Sequence, residues 1–317
     1  MNKLPNKLVG MSSGNNTFKI FVLRHGQSEL NHENIFCGWI DARLTDKGKQ
    51  QARNSAQLIQ QFCNENNESL PQIGYTSRLV RTQQTMEVIM DELNLNGQFQ
   101  VISGDVHALK KVELNDQQLH EGQLPVLQTW RLNERHYGAW QGQRKPNVLK
   151  EVGDEEYMRI RRDYRGKPPL VDLSLEMIQP QENGNSTTGY EFKEPNRSEK
   201  YAVEDAAGET LPISESLAEV VTRIRPFLDG VVLRLAKEKQ LDSCLIVGHG
   251  SSVRSLLKII EDISDEEIKN IDIPNGIPLV IEFDKTDLHS IKSFYLDPES
   301  AKINAAKVRK EGFEKNP

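Results

Sequence analysis

Cysteine is scarce in this 317-residue sequence. Only Cys37, Cys63 and Cys244 occur, an odd number without a CxxC spacing. Such a set supports neither a disulfide framework nor a zinc site. We therefore expect a reducing compartment and no metal site built from cysteine.

Long hydrophobic runs are also missing. No stretch reaches the roughly 18 apolar residues of a membrane-spanning helix. Residues 1–17 lack the apolar centre of a secretion signal and are expected to be a flexible tail, with a mitochondrial presequence as the weaker interpretation. The sequence thus predicts a soluble protein of the cytoplasm.

A large excess of either charge is absent as well. The 40 Lys and Arg residues against 46 Asp and Glu residues give a net charge of −6, and 37% of the chain is hydrophobic. This composition excludes wholesale disorder and disfavours a general binder of nucleic acid or membrane surfaces. An anionic small molecule would need a local basic pocket.

Short apolar strands alternate with amphipathic helices along the chain. This alternation predicts an α/β fold with three layers, in which a mostly parallel central sheet carries helices on both faces. The predicted strands are 18–23, 72–76, 99–102, 244–247, 278–283 and 291–295. The predicted helices begin after Thr45, at Ser77, near Ser214 or Ser216, and at Val253.

Two polar stretches interrupt this alternation. We expect 94–125 to be a surface excursion and 171–210, which contains QPQENGNSTTG, to be a loop or lid. The remainder of 18–300 is expected to form one domain. A charged C-terminal tail is predicted at 301–317.

Two histidines stand in the same context. His25 and His249 each follow an apolar strand and precede a glycine, so parallel strands would bring both to one edge of the sheet. Taken alone, either could be a structural histidine. Arg24 adds a planar cationic fork suited to a phosphate, and a neutral imidazole can attack phosphorus. His25 is thus a candidate nucleophile.

Five segments carry a resemblance to a known family. They are VLRHGQSELNHENIFCGWIDARLTDKG, YTSRLVRTQQT, WRLNERHYG, VGHGSSVRSLLK and IPNGIPLV. Together they resemble the cofactor-dependent phosphoglycerate mutases of the histidine phosphatase superfamily, over roughly 18–300 apart from the two polar stretches. The WRLNERHYG block is more similar to the mutase branch than to general phosphatases. The insertions leave open a divergent fungal-type paralogue.

The resemblance implies five catalytic residues. His25 matches the histidine that becomes phosphorylated, and Glu134 matches the carboxyl group that gives and takes the substrate proton. His249 matches the second histidine, which donates to the phosphoryl group. Arg24 and Arg81 match the arginines that hold that group.

The resemblance also implies a set of substrate-binding residues along the first phosphate loop and around the other end of the substrate. Without it, Glu134 could be a surface ion-pair partner, and the basic residues of RIRRDYR could be a solvated patch. The implied residues are Ser28, Asn31, Cys37, Gly38, Arg135, Tyr137, Lys145, Arg161, Arg162, Gly250 and Ser251.

The implied activity is the interconversion of 3-phosphoglycerate and 2-phosphoglycerate in glycolysis and gluconeogenesis. The resemblance implies 2,3-bisphosphoglycerate as the cofactor that primes His25, and no metal ion. It further implies a small phosphorylated substrate, a homodimer or homotetramer, and no nucleic-acid or membrane partner.

Some positions depart from the family pattern. Cys37 replaces a threonine or serine, Ser251 replaces an asparagine, and Ala139 and Trp140 replace an acidic and an aliphatic residue. Two alternatives therefore stay open. The chain could be a phosphatase or bisphosphoglycerate-directed relative, or a weakly active or inactive paralogue with a binding or regulatory role.

Overall fold

The computed structural model describes residues 16–115, 118–173, 194, 197–311 and 313. The predicted tail lies outside these residues up to position 15, as does the low-complexity piece of the second polar stretch. Among the described residues, no helix is long and apolar enough to cross a membrane.

Within the described chain, seven strands form one central sheet, in the order β3-β4-β2-β5-β1-β6-β7. The first five are parallel to one another, while β6 and β7 are joined in antiparallel pairs. The predicted mostly parallel sheet is confirmed. Strand β4 was not predicted from the sequence. The bounds are β1 Thr17–Arg24, β2 Gly74–Thr76, β3 Phe99–Val101, β4 Val126–Gln128, β5 Ser243–Gly248, β6 Leu279–Asp284 and β7 Ser290–Tyr295.

Helices surround this sheet. The predicted cap at Thr45 is confirmed, because its hydroxyl accepts from the Gly48 N–H at 3.1 Å. Ser216 likewise caps the helix predicted near it. The helices are α1 Glu29–His32, α2 Asp46–Asn66, α3 Val80–Glu92, α4 Val106–Leu109, α5 Lys145–Val152, α6 Asp154–Arg162, α7 Arg197–Lys200, α8 Ala202–Ala206, α9 Leu217–Phe227, α10 Arg234–Glu238, α11 Gly250–Ile260 and α12 Pro298–Lys310.

Both faces of β1 are buried, as the prediction of three layers requires. Phe21 and Leu23 pack into one apolar cluster with residues of α2 and α3. Ile20 and Val22 point to the other face, into a cluster with residues of α9 and α11. Burying such a side chain contributes about 1.5–3 kcal/mol, so the two clusters hold β1 firmly in place.

The first polar stretch is more than the surface excursion that we expected. Its predicted strand is confirmed as β3, one residue shorter. Leu109, Leu114 and Leu124 are buried and join the two main apolar clusters. Polar residues separate these three leucines, so they produce no sustained periodic signal in the sequence.

The expected C-terminal tail is wrong for its first part. Residues 298–310 form α12, which Asp297 caps by accepting from the Ser300 N–H at 3.0 Å. Pro298 stands at the first turn, where its missing N–H costs nothing. The helix has a single buried residue, Ala301, so its apolar periodicity is too weak to predict it.

Candidate active site

Strands β1 and β5 end side by side. Arg24 of β1 pairs with Gly248 of β5, so His25 and His249 follow at the same edge of the sheet. Their ring centroids are 5.0 Å apart, and both side chains are buried. The predicted convergence of the two histidines is confirmed.

The hydrogen bonds of His25 fix its tautomer and place the lone pair on Nε2. Its Nδ1 lies 2.6 Å from the Gly26 carbonyl oxygen. Because a carbonyl only accepts, Nδ1 carries the hydrogen, and the lone pair is on Nε2, which accepts from Arg81 Nε at 3.2 Å. Burial lowers the pKa of His25 well below its ordinary value, and the charges of Arg81 and Arg24 lower it further. The imidazole is therefore neutral at neutral pH.

A chain of two hydroxyl groups, those of Ser77 and Thr82, orients His249. The Thr82 hydroxyl donates to the Leu79 carbonyl at 2.8 Å, so it accepts from Ser77 at 2.7 Å. Ser77 Oγ in turn accepts from His249 Nε2 at 2.8 Å. Nδ1 has no hydrogen-bond partner among the described residues. That atom is left to meet a ligand.

Two guanidinium groups flank His25. Arg81 donates to the carbonyl oxygens of Ile40 at 2.9 Å and Gly38 at 2.8 Å, which fixes its plane. Arg24 donates to the Ile273 carbonyl at 2.8 Å, and its buried Nε has no partner within the described chain. These groups can stabilise negative charge that develops beside His25 Nε2.

Glu134 is held by the backbone. Its Oε1 accepts from the N–H groups of Arg135 at 2.7 Å and Ser251 at 3.1 Å. The Trp39 indole donates to the Glu134 carbonyl at 2.8 Å. Oε2 faces Gly250, and an ideal Cβ atom built on that glycine would lie 3.6 Å from it. Both residues line the cavity. One carboxylate oxygen is thus anchored, and the other can exchange a proton.

Part of the cavity lining is strongly basic. Lys145 forms an ion pair with the Glu311 carboxylate, and Arg161 donates to the Glu311 carbonyl oxygen at 2.7 Å. Arg162 pairs with Asp272 at 2.5 Å. The Lys145, Arg24 and Arg161 charges outweigh the effect of burial and lower the pKa of Glu311 to about 2. Glu311 is therefore ionised, as a carboxylate within a cationic pocket.

Part of the second polar stretch packs against the segments on either side of Glu134 and Cys37 in the sequence. The Asn133 amide donates to the Tyr201 hydroxyl at 2.9 Å, and Tyr201 packs on Trp39 with ring centroids 5.2 Å apart. Lys200 forms an ion pair with Asp41. The described residues of the second polar stretch therefore pack against the segment that carries Glu134. The sequence-based prediction of a loop or lid did not include this structural role.

Comparisons with known proteins agree with this arrangement. The family model of the histidine phosphatase superfamily (branch 1) matches residues 20–101 and 183–293. Phosphoglycerate mutase 3 of Saccharomyces cerevisiae is 66% identical over 301 residues, covering 95% of this chain and 98% of that protein. A 2,3-bisphosphoglycerate-dependent phosphoglycerate mutase of Bifidobacterium longum is 33% identical over 298 residues, covering 93% and 99%. The chain is a member of the phosphoglycerate mutase family.

The fold agrees with this membership. The crystal structure of phosphoglycerate mutase from Bacillus anthracis aligns with a TM-score of 0.52 at 16% identity, covering 93% of this chain and 97% of that chain. A mycobacterial glucosyl-3-phosphoglycerate phosphatase aligns with a TM-score of 0.55 at 15% identity, covering 89% and 98%. At these identities the likeness concerns the fold alone.

Most predicted site residues of this mutase-family chain line one cavity. His249 lies beside it, against His25. Ser28 instead caps α1, where its Oγ accepts from the Asn31 N–H at 3.3 Å. Arg135 lies behind Tyr137, with its guanidinium 4.6 Å from the ring centroid. The roles of all these residues stay predictions. Those lining the cavity are Arg24, His25, Asn31, Cys37, Gly38, Arg81, Glu134, Tyr137, Lys145, Arg161, Arg162, Gly250 and Ser251.

Three further charged residues that line the cavity were missed from the sequence. Arg254 follows Ser251 by three residues, so helical spacing in VGHGSSVRSLLK could have placed it on the same face. Asp272 and Glu311 also line the cavity. No local pattern marks either one, because their positions depend on how distant segments pack.

The departures from the family pattern have mild local consequences. The Cys37 thiol donates to the Ile40 carbonyl at 3.4 Å, and burial raises its pKa, so it stays a thiol. Ser251 holds Glu134 through its backbone N–H, which any residue there would supply. Trp140 packs on Phe36, with ring centroids 5.2 Å apart.

The cavity is suited to an anion. Its cationic side chains are Arg24, Arg81, Lys145, Arg161, Arg162 and Arg254, against the carboxylates Glu134, Asp272 and Glu311. No group of three or more His, Cys, Asp or Glu side chains that could hold a metal occurs in the part of the chain described. A doubly phosphorylated cofactor fits these residues, because Arg24 Nε and Arg162 NH2 are buried donors without partners among the described residues.

The two histidines predict how stability depends on pH. Burial, with the nearby arginine charges, lowers the pKa of both well below the ordinary value, so the native state keeps them neutral. The unfolded chain binds a proton at each below about pH 6.5. The free energy of unfolding should therefore fall as pH drops below that value, by roughly 1 kcal/mol per pH unit for each histidine.

Urea unfolding between pH 7.5 and 5.5 measures this slope. The His249→Gln variant should show a shallower decline than the unaltered protein. Equal slopes for the two proteins would contradict the buried neutral state of His249.

Glu311 predicts a second effect, on ligand affinity. An arriving anion must displace this carboxylate from Lys145 and Arg161. Glu311→Gln should therefore tighten binding of 3-phosphoglycerate by about threefold to tenfold, as measured by calorimetry. Glu299→Gln, an exposed change on α12, the helix that ends just before Glu311, is the matched control and should leave the affinity unaltered. Weaker binding in the Glu311 variant would show that the carboxylate helps to order the pocket.

Proposed function

We propose that the protein interconverts 3-phosphoglycerate and 2-phosphoglycerate through a phosphohistidine at His25, with 2,3-bisphosphoglycerate as the cofactor that primes it. One observation carries the proposal: the Nε2 lone pair of His25 faces the Arg81 guanidinium at 3.2 Å, in a cavity that Arg24 also lines. Burial and the charges of both arginines lower the pKa of His25, which favours the neutral imidazole. A neutral imidazole beside fixed cations is what attack on a phosphoryl group requires. The 66% identity to a yeast phosphoglycerate mutase supports the choice of substrate.

His25 carries the phosphoryl group in this proposal. Nε2 forms a bond to phosphorus while the bond from phosphorus to the substrate oxygen breaks. Hydrogen bonding of Nδ1 to Gly26 keeps the ring in the right tautomer throughout. Arg24 and Arg81 take up the charge on the phosphoryl oxygens.

Glu134 handles the proton of the substrate hydroxyl. When a hydroxyl attacks phosphohistidine, Oε2 accepts its proton, and it returns the proton when the alkoxide leaves in the other direction. Oε1 stays bound to the two backbone N–H groups, so the carboxylate does not need to reorient.

The far end of the cavity holds the rest of the substrate. Lys145, Arg161 and Arg162 supply the cations for a carboxylate and a second phosphate. Both 2- and 3-phosphate isomers present the same charges to this end. The bound intermediate can thus reorient between the half-reactions and still form ion pairs with these residues.

The proposal is tested by following the conversion of 3-phosphoglycerate to 2-phosphoglycerate and the release of inorganic phosphate in the same sample, with 2,3-bisphosphoglycerate present. Isomer exchange well above phosphate release is the expected result. Phosphate release without exchange would instead indicate a phosphatase. Neither reaction would point to a binding or regulatory paralogue.

We also propose a cytoplasmic location and a homodimer or homotetramer. Both rest on the family membership. Light scattering coupled to size-exclusion chromatography measures the second, and a monomer at micromolar concentration would contradict it.

A further inference from the structure

Arg254 is a buried cation with an unused donor. It follows Gly250 by four residues on α11, so its side chain lies on the helix face that lines the cavity. One terminal nitrogen, NH2, donates to the Ile268 carbonyl at 2.7 Å. Its Nε is buried and has no hydrogen-bond partner among the described residues. The side chain is 7% exposed, so bulk water does not satisfy that donor.

The surroundings of Arg254 hold more positive than negative charge. Arg162 NH1 pairs with Asp272, while NH2 is a second buried donor without a partner in the described chain. The other carboxylate oxygen of Asp272 accepts from Arg309 at 2.8 Å. Two guanidinium groups thus share the Asp272 carboxylate, and Arg254 has no hydrogen bond to it. Burial and the charges of Arg162 and Arg135 lower the pKa of Arg254 to about 9.

A structural role alone does not explain this arrangement. A neutral donor would satisfy the Ile268 carbonyl as well, without placing a cation near two others in a buried site. Unsatisfied donors and repelling cations are both relieved by a bound anion with several acceptor oxygens.

We propose that Arg254, together with Arg162, binds the second anionic group of the substrate and cofactor, at the end of the cavity away from His25. This deepens the proposed function, on which it rests, because it adds a residue that selects ligands with two anionic groups. A phosphate there receives Nε–H from Arg254 and NH2 from Arg162. His25 and its two arginines take the transferred phosphoryl group at the other end.

The first test is equilibrium binding of 2,3-bisphosphoglycerate by calorimetry, in the full chain carrying His25→Ala so that no transfer occurs. Adding Arg254→Met should weaken binding by about 10- to 100-fold, the range for a lost charge-assisted contact. Arg254→Lys keeps the charge but lacks the planar guanidinium group, so it should recover part of the affinity that the Met variant loses. Unchanged affinity in both variants would overturn the proposal.

The second test separates ligand binding from a structural role. Phosphoramidate can phosphorylate a histidine but carries no second anionic group. With His25 intact, Arg254→Met should slow phosphorylation by 2,3-bisphosphoglycerate about 10- to 100-fold and leave the rate with phosphoramidate within about twofold. Equal slowing with both donors would mean that Arg254 only supports the fold, which overturns the proposal.

Arg159→Met is the matched control, because it removes a cation from α6 whose side chain is half exposed and pairs with Glu156. It should change neither the affinity for 2,3-bisphosphoglycerate nor the rates of phosphorylation. Thermal unfolding checks that the Arg254 variants fold. If the Met variant does not fold, Arg254→Lys replaces it in both tests. If neither donor labels unaltered His25, the proposed function fails, whereas the calorimetric comparison still decides about Arg254.

Discussion

Replacing His25 by alanine is expected to abolish phosphoryl transfer to the protein and to lower the mutase rate by at least about a thousandfold. The Nε2 lone pair of His25 is the proposed nucleophile, and it faces the Arg81 guanidinium at 3.2 Å in a cavity that Arg24 also lines. The rate is measured as conversion of 3-phosphoglycerate to 2-phosphoglycerate.

His289→Ala is the control for this experiment. That histidine is exposed, pairs with Asp287 and lies outside the cavity lining. Its variant should keep the full rate. A His25→Ala protein that retained a tenth or more of the activity would mean that the reaction does not pass through this residue.

Glu134→Gln is expected to lower turnover by about 100- to 10,000-fold, the usual worth of a positioned acid and base. The amide oxygen of glutamine can still accept from the N–H groups of Arg135 and Ser251, so the local structure should survive. What is lost is the oxygen that accepts the substrate proton. The Michaelis constant should therefore change much less than kcat.

Glu156→Gln provides the comparison for Glu134, since this carboxylate pairs with Arg159 on the surface. It should leave kcat unchanged. A Glu134→Gln protein with an unaltered kcat would exclude proton transfer by this carboxyl group from the rate-limiting step.

The central features of the fold could be predicted because they depend on local patterns. A continuous apolar run that ends in Arg24 and His25 indicates a buried parallel strand with its chemistry at the carboxyl end. The same pattern at His249 predicts that the two residues meet. Cap residues such as Thr45 and Ser216 mark helix starts by a hydrogen bond that is nearly independent of the rest of the chain.

Other parts depend on packing between distant segments. Glu311 reaches Lys145 only because α12 folds back over the cavity, and nothing near residue 311 in the sequence indicates this. Leu109 and Leu124 enter the core from a stretch whose polar composition suggested a surface loop. Tertiary contacts decide such positions, so neither periodicity nor composition could predict them.

Ser77 lies between these two cases. It directly follows β2, just as His25 follows β1, and its hydroxyl bonds to His249. The strand-end pattern could have identified it. The choice of His249 as its partner required the order of the strands, in which β5 lies between β1 and β2.

Intact-mass spectrometry after incubation with 2,3-bisphosphoglycerate tests the central claim most directly. The expected result is the addition of one phosphoryl group, mapped by peptide analysis to His25 and absent from the His25→Ala variant. Lack of any added mass under conditions where the protein is folded and binds the cofactor would contradict the role assigned to His25.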